Sequence, residues 1–239
     1  MKRLPVRLCI LLAAISILMF QACSMNTLEM ETGSFQITLQ PGDNWLHDHP
    51  LFGPFTFENP PTFALWITDE FDTYVDTIYV SKKIGQVAWI SNDDPRPEAL
   101  PLWSFKRGGQ PTEESPVPDG ITGATPKDSS MYQVSPGSGL SKFTLWLELN
   151  HSLDYNSYYL EGINDENAEN YSGGIGGSGQ PSLVYRADID LNTDSGMLIN
   201  FVLAGHGEPG GESTGTVYAD TSSVSSAKEI LERAEVKIQ

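Results

Sequence analysis

The clearest β-strand signal in the chain lies in Phe143-Thr144-Leu145-Trp146-Leu147-Glu148-Leu149. Its odd-numbered positions are all phenylalanine or leucine, and threonine, tryptophan and glutamate fall between them. Because successive side chains of a strand point to opposite faces, this alternation predicts one buried face and one partly solvated face. An apolar sheet face has to pack against a second layer, so the segment indicates a layered β-fold.

Five further runs have strand character: 34–40, 62–68, 73–81, 183–189 and 197–203. Each is bounded by clusters of Gly, Pro, Asn or Asp, which favour turns. Repeated short strands without a long amphipathic helix are typical of an all-β sandwich. We therefore predict a single β-sandwich domain over residues 34–239, with long loops.

One helix is predicted near the C-terminus. Ala227–Arg233 contains strong helix formers, and Ser225 or Ser226 is placed to cap it. Val236–Ile238 is expected to close the domain as a last strand. Upstream, the connection 161–182 is rich in glycine, and no helix follows it, so it does not resemble a phosphate-binding loop.

Residues 1–22 are predicted to be a lipoprotein signal peptide. Three basic residues precede an apolar run, Leu8–Phe20, that is short for a membrane span. The run ends in Phe20-Gln21-Ala22-Cys23, which resembles a bacterial lipobox, although Phe20 and Gln21 depart from its usual pattern. Lipidation of Cys23 would anchor the protein in the bacterial cell envelope, facing the periplasm or the exterior, with residues 23–33 as a tether. An ordinary secretory signal or a true membrane anchor is the alternative.

Cysteine usage and charge exclude several classes of function. Cys9 and Cys23 are the two cysteines, so a chain cleaved before a lipidated Cys23 has no free thiol for a disulfide, a thiolate metal site or a nucleophile. The formal net charge is −17. A surface of that sign repels nucleic acid, so no nucleic-acid partner is expected.

A short motif lies in the long connection 92–138. The segment Asp119–Pro126 reads Asp-Gly-Ile-Thr-Gly-Ala-Thr-Pro. It resembles the acceptor motif of FAD:protein FMN transferases, in which the last threonine hydroxyl becomes a phosphoester to FMN. The resemblance implies covalent FMN on Thr125, with a recognition segment formed by Asp119, Thr122, Gly123 and Ala124. The alternative is a plain surface turn, since Asp-Gly and Thr-Pro are common in loops.

Several segments, in this order, resemble a family of predicted periplasmic proteins that carry a domain of unknown function. The matching segments are Phe63–Asp69, Tyr74–Val80, Leu100–Trp103, Asp119–Pro126 and Phe143–Glu148. The resemblance covers about residues 34–160 and implies an immunoglobulin-like β-sandwich. It also implies a genomic setting beside flavin transferases and PepSY-type membrane reductases. The glycine-rich connection 161–182 departs from the family pattern.

Two hypotheses about function follow. The first is an electron carrier outside the cytoplasm, which takes electrons from a PepSY-type membrane partner through covalent FMN and is not an enzyme by itself. The second is a structural or ligand-binding lipoprotein that presents aromatic side chains to a glycan or a protein. Trp103 or Tyr132 could stack on a flavin ring, but edge packing on the sandwich is the preferred interpretation of both.

Two other patterns contain residues that can ligate metals. His47-Asp48-His49 offers two imidazoles, and Asn150–Asn156 offers alternating oxygen donors. Neither pattern contains a complete ligand set, and the histidines are interpreted as structural loop residues. We therefore assign no metal site and no catalytic residue from the sequence.

Overall fold

The computed structural model describes residues 34–52, 55–86, 96–112, 121–135, 139–171, 173–174, 177–211 and 214–239. The predicted signal peptide, Cys23, the tether and Asp119 lie outside these ranges. The strands are β1 (Phe35–Pro41), β2 (His47–Phe52), β3 (Phe55–Asn59), β4 (Thr62–Asp69), β5 (Tyr74–Ser81), β6 (Ile121–Gly123), β7 (Ser130–Val134), β8 (Lys142–Asn150), β9 (Leu183–Asp190), β10 (Leu198–Asn200), β11 (Val202–His206) and β12 (Leu231–Ile238). Two short helices, α1 (Lys82–Gly85) and α2 (Pro101–Lys106), and a 3-10 turn (Ser226–Glu229) complete the described elements. None of these helices is long and apolar enough to cross a bilayer.

The strands form three sheets. A four-stranded sheet has the order β10-β12-β1-β7, a six-stranded sheet has the order β11-β9-β8-β4-β5-β6, and β2 and β3 form a separate hairpin. Every pairing among the described strands is antiparallel except that of β5 with β6. The predicted all-β class is confirmed, and every predicted strand run falls on observed strand.

One apolar core joins the two larger sheets. On β1, alternate side chains (Phe35, Ile37 and Leu39) are buried, as the period of two requires. The ring of Phe35 lies 5.3 Å from that of Phe143 on β8 of the six-stranded sheet. Burying one such side chain fully contributes about 2 kcal/mol, so this shared core is the main stabilising feature of the fold.

The second face of the six-stranded sheet is also covered, which corrects the expectation of a partly solvated face on β8. Trp146 and Glu148 point to that face and are buried. Trp146 stacks on Trp66 of β4 at 6.0 Å, and α2 places Leu102 and Trp103 in the same apolar cluster. The alternation of β8 shows which residues share a face, but only tertiary packing shows that a helix covers it.

The predicted C-terminal helix over Ala227–Arg233 is wrong. A single 3-10 turn ends at Glu229, and β12 begins at Leu231 and contains the predicted last strand. β12 pairs with β1 on one side and β10 on the other. Helix propensity differences of a few tenths of a kcal/mol per residue do not outweigh two hydrogen-bonded edges and the burial of Val236 and Ile238.

The run 197–203 is two strands and not one. β10 pairs with β12 in the four-stranded sheet, whereas β11 pairs with β9 in the six-stranded sheet. Phe201 lies between them, is buried, and donates its N–H to Ala234 O at 2.9 Å. The chain therefore passes from one sheet to the other at a buried phenylalanine.

Candidate functional site

The acceptor-like motif is attached to the edge of the six-stranded sheet. β6 runs parallel to β5, with Tyr79 opposite Ile121, Val80 opposite Thr122 and Ser81 opposite Gly123. The expectation that the whole motif lies in an irregular loop is therefore corrected. Parallel strands need a long connection, and the segment between β5 and β6 supplies it and includes α2.

Three side-chain contacts hold the segment that follows β6. The Tyr79 hydroxyl donates to Gly123 O at 3.0 Å, and Trp45 Nε1 donates to Pro126 O at 2.9 Å. The Thr125 hydroxyl hydrogen-bonds the Ser81 hydroxyl at 2.8 Å. Ser81 is buried, and its oxygen also accepts the N–H of Phe63 at 3.0 Å. The threonine is thus held from both sides and anchored to the sheet.

Gly85, which approaches β6, and Gly123, inside the motif, differ in how much room the fold leaves for a side chain. A Cβ on Gly85 would lie 2.6 Å from Thr122 Cγ2 and 2.9 Å from Val80 Cγ1, so the approach of α1 to β6 needs a glycine there. A Cβ on Gly123 would meet Tyr79 at 3.6 Å, which is ordinary contact. Packing therefore explains Gly85, but it does not explain why the motif has a glycine at 123.

Thr125 lies in the wall of a pocket of about 360 Å³. The pocket is lined by Pro60, Ser81, Lys82, Lys83, Gly123, Ala124, Thr125 and Lys127. Ala124 is exposed and Thr125 is half-buried. The structure thus brings three of the predicted motif residues together with three lysines that the sequence analysis did not select. The Lys82-Lys83 pair after a strand was the one sequence signal for a cationic site there. Lys127 lies 44 residues after Lys83, so no local pattern connects it with the pair.

Burial shapes the chemistry of this pocket. Desolvation, together with the nearby charge of Arg96, lowers the pKa of Lys83 to about 8, and its ammonium donates to Asn59 Oδ1. Lys127 forms an ion pair of 3.2 Å with Glu58, and both side chains are more than half exposed. Burial also raises the pKa of Tyr79, so its hydroxyl stays protonated and able to donate. The pocket therefore combines a tethered hydroxyl with cationic side chains.

The aromatic residues mostly belong to the core. Trp103 is fully buried and donates Nε1 to Thr77 Oγ1 at 2.9 Å, so its ring faces do not reach a flavin. Tyr132 is half-buried and packs 5.1 Å from Tyr79. The preferred interpretation, edge packing, fits Tyr132 on the edge strand β7, whereas Trp103 lies fully buried in the apolar cluster around α2. All four described tryptophans are buried, which removes them as a contact surface for a glycan or a protein, and Trp89 lies outside the described residues.

His151 lies beside His47 and His49, about a hundred residues earlier in the sequence. The ring of His47 lies 5.5 Å from that of His49 and 5.6 Å from that of His151. His151 Nε2 donates to the carbonyl oxygens of Asn44 and Trp45, both at 3.0 Å, and burial lowers its pKa to about 3. Within the described ranges no three His, Cys, Asp or Glu side chains are arranged to hold a metal ion. His151 therefore acts as a neutral hydrogen-bond donor to the β1–β2 connection.

Comparison with known proteins finds no relative: no family model, no curated protein and no solved structure matches the chain. The function is therefore inferred from the chemistry of the pocket around Thr125.

Proposed function

We propose that this chain is a lipid-anchored carrier of covalent FMN, attached through Thr125, that transfers electrons outside the cytoplasm. The observation that carries the proposal is the position of the Thr125 hydroxyl. Thr125 is the last threonine of the acceptor-like motif, it follows the edge strand β6, and it lines a pocket of about 360 Å³. A modifying enzyme can approach a sheet edge, whereas the interior of the sheet is closed to it.

The proposed modification is a phosphoryl transfer from FAD. The Thr125 oxygen attacks the phosphorus on the FMN side of the FAD diphosphate, an oxygen–phosphorus bond forms, and the bond to the AMP phosphate breaks. AMP leaves, and the hydroxyl proton passes to a base of the FAD:protein FMN transferase. Ser81 positions the nucleophile, because its oxygen accepts the Phe63 N–H at 3.0 Å and the same hydroxyl hydrogen-bonds the Thr125 hydroxyl at 2.8 Å.

The remaining parts of the proposal concern the scaffold. The shared core of the two larger sheets supports an immunoglobulin-like β-sandwich, which would hold the flavin on a rigid body. Lipidation of Cys23 would keep that body near a PepSY-type membrane reductase as redox partner. Flavin supplies electron transfer that side chains cannot, so the chain would carry electrons and turn over no substrate of its own. The transferase would recognise the motif through Asp119, Thr122, Gly123 and Ala124.

The test is to express the full chain in a bacterial host with and without a flavin transferase. We expect the mass of the intact protein to rise by one FMN less one water only when the transferase is present. The denatured band on a gel should then fluoresce, because only covalent flavin stays with it. An unmodified mass under both conditions would contradict the proposal.

Gly123 allows recognition to be separated from folding. We expect Gly123→Ala to fold normally, because the added Cβ meets its nearest neighbour at 3.6 Å, and yet to lose most of the flavin. Gly210→Ala is the matched control, since its Cβ would also meet its nearest neighbour at 3.6 Å, outside the motif. Thermal unfolding and flavin per chain should be measured for both. Full flavin loading of Gly123→Ala would show that the transferase does not require a glycine at this position.

A further inference from the structure

The lysines around Thr125 are unusual in so acidic a chain. The chain has 31 Asp and Glu but only 14 Lys and Arg, of which three precede Cys23, so 11 basic residues remain. Three of these 11, Lys82, Lys83 and Lys127, line the same pocket as Thr125. Lysine side chains that line one concave site can turn their ammonium groups toward an anion there, even on a protein that repels anions elsewhere.

Little in the described structure neutralises this group of lysines. Within the described ranges neither Lys82 nor Lys83 forms an ion pair, and the Lys83 ammonium donates to the neutral amide oxygen of Asn59. Lys127 has a carboxylate partner, Glu58, but that pair is exposed and therefore weak. The charge of Arg96 also acts on Lys83, and two cations held close to each other are relieved by a bound anion.

We propose that Lys82, Lys83 and Lys127 form a phosphate-binding subsite that holds the diphosphate of the incoming nucleotide beside Thr125 and then the phosphodiester that remains. A volume of about 360 Å³ is at the small end for ligand pockets, so it suits phosphate groups and not a whole dinucleotide. The choice of nucleotide rests on the proposed function, whereas the anion site does not. Lys83 is the positioning residue, because it is the most buried of the three lysines.

The anion site is tested on unmodified protein, expressed without a transferase. Inorganic pyrophosphate is titrated by calorimetry at constant, low ionic strength, so that exposed charges are not screened. We expect saturable binding that weakens about tenfold in Lys83→Met, which is the loss of one charge-assisted contact. Lys82→Gln and Lys127→Gln should each weaken it by a smaller factor. Lys237→Met removes the same charge from β12 of the other large sheet and should leave binding unchanged.

A second measurement keeps the test valid if Lys83→Met folds poorly. In the wild-type protein, NMR titration of the lysine side chains should show the pKa of Lys83 rising from about 8 when pyrophosphate is added, because a bound anion favours the ammonium. Absence of binding by the wild type, or equal binding by Lys83→Met and Lys237→Met, would overturn the inference. Pyrophosphate binding without flavin attachment would support the anion site and contradict the proposed function. Flavin attachment without pyrophosphate binding would contradict the anion site alone.

Discussion

Thr125→Ala is expected to abolish covalent flavin completely while the protein stays folded. The substitution removes the proposed nucleophile, and no other hydroxyl occupies the last position of the motif. Its structural cost should be about 1 kcal/mol, because it deletes one hydrogen bond of a half-buried residue. Ser81 keeps the N–H of Phe63 as a partner. Intact mass and in-gel fluorescence after co-expression with a transferase measure the effect.

Thr125→Ser is the matched control for this result. Serine retains the oxygen that attacks phosphorus and loses only a methyl group, so we expect flavin attachment to continue at a lower level. A mass increment that persists in Thr125→Ala would move the attachment point to another residue. Loss of flavin in both variants, with the wild type modified, would mean that the transferase requires the threonine methyl as well as the hydroxyl.

Glu148→Ala is expected to have the largest effect on stability, about 3–5 kcal/mol. Glu148 is fully buried and accepts three hydrogen bonds, from Leu102 N at 3.2 Å, Trp103 N at 2.8 Å and Ser182 Oγ at 2.6 Å. Alanine would leave these three donors without their acceptor and release α2 from the sheet. Urea unfolding at pH 7 measures the loss. Glu161→Ala, at an exposed turn position, should change stability by less than about 0.5 kcal/mol.

The same glutamate predicts a dependence of stability on pH. Burial raises the pKa of Glu148 to about 7, from an ordinary value of 4.5. Between these values the folded state keeps a proton that the unfolded state releases, so stability falls as pH rises through this window. The contribution of protonated Glu148 to the free energy of unfolding is complete below pH 4.5 and is lost by about pH 7, a change of about 3 kcal/mol.

Glu148→Gln has no titrating group at this position. Comparing it with the wild type therefore isolates the part of the pH dependence that comes from the Glu148 carboxyl. The difference in unfolding free energy between wild type and variant should fall from pH 4.5 to 7 and stay level above it. A difference that does not change with pH would contradict the raised pKa. Ser182→Ala provides a second check, because the hydrogen bond from Ser182 favours the carboxylate and its loss should raise the pKa further.

Local patterns in the sequence were sufficient for the class of fold and for most of the strands. Alternation in β1 and β8, and the turn residues around each run, reflect which side chains face the core, and that information lies within seven to nine residues. The resemblance of Asp119–Pro126 to an acceptor motif also rests on a short stretch of chain. The attachment of FMN remains a proposal.

Contacts between residues far apart in the sequence determined the remaining features of the fold and the pocket. Ala227–Arg233 has helix formers, yet its last three residues belong to β12, which pairs with β1 about two hundred residues earlier in the chain. Glu148 looks like a solvent-facing position until α2 covers it. Lys127 joins Lys83 only because β6 pairs in parallel with β5. Propensity and periodicity are properties of neighbours along the chain, whereas burial, pairing and charge clustering depend on which segments meet in space, and here those contacts created the pocket.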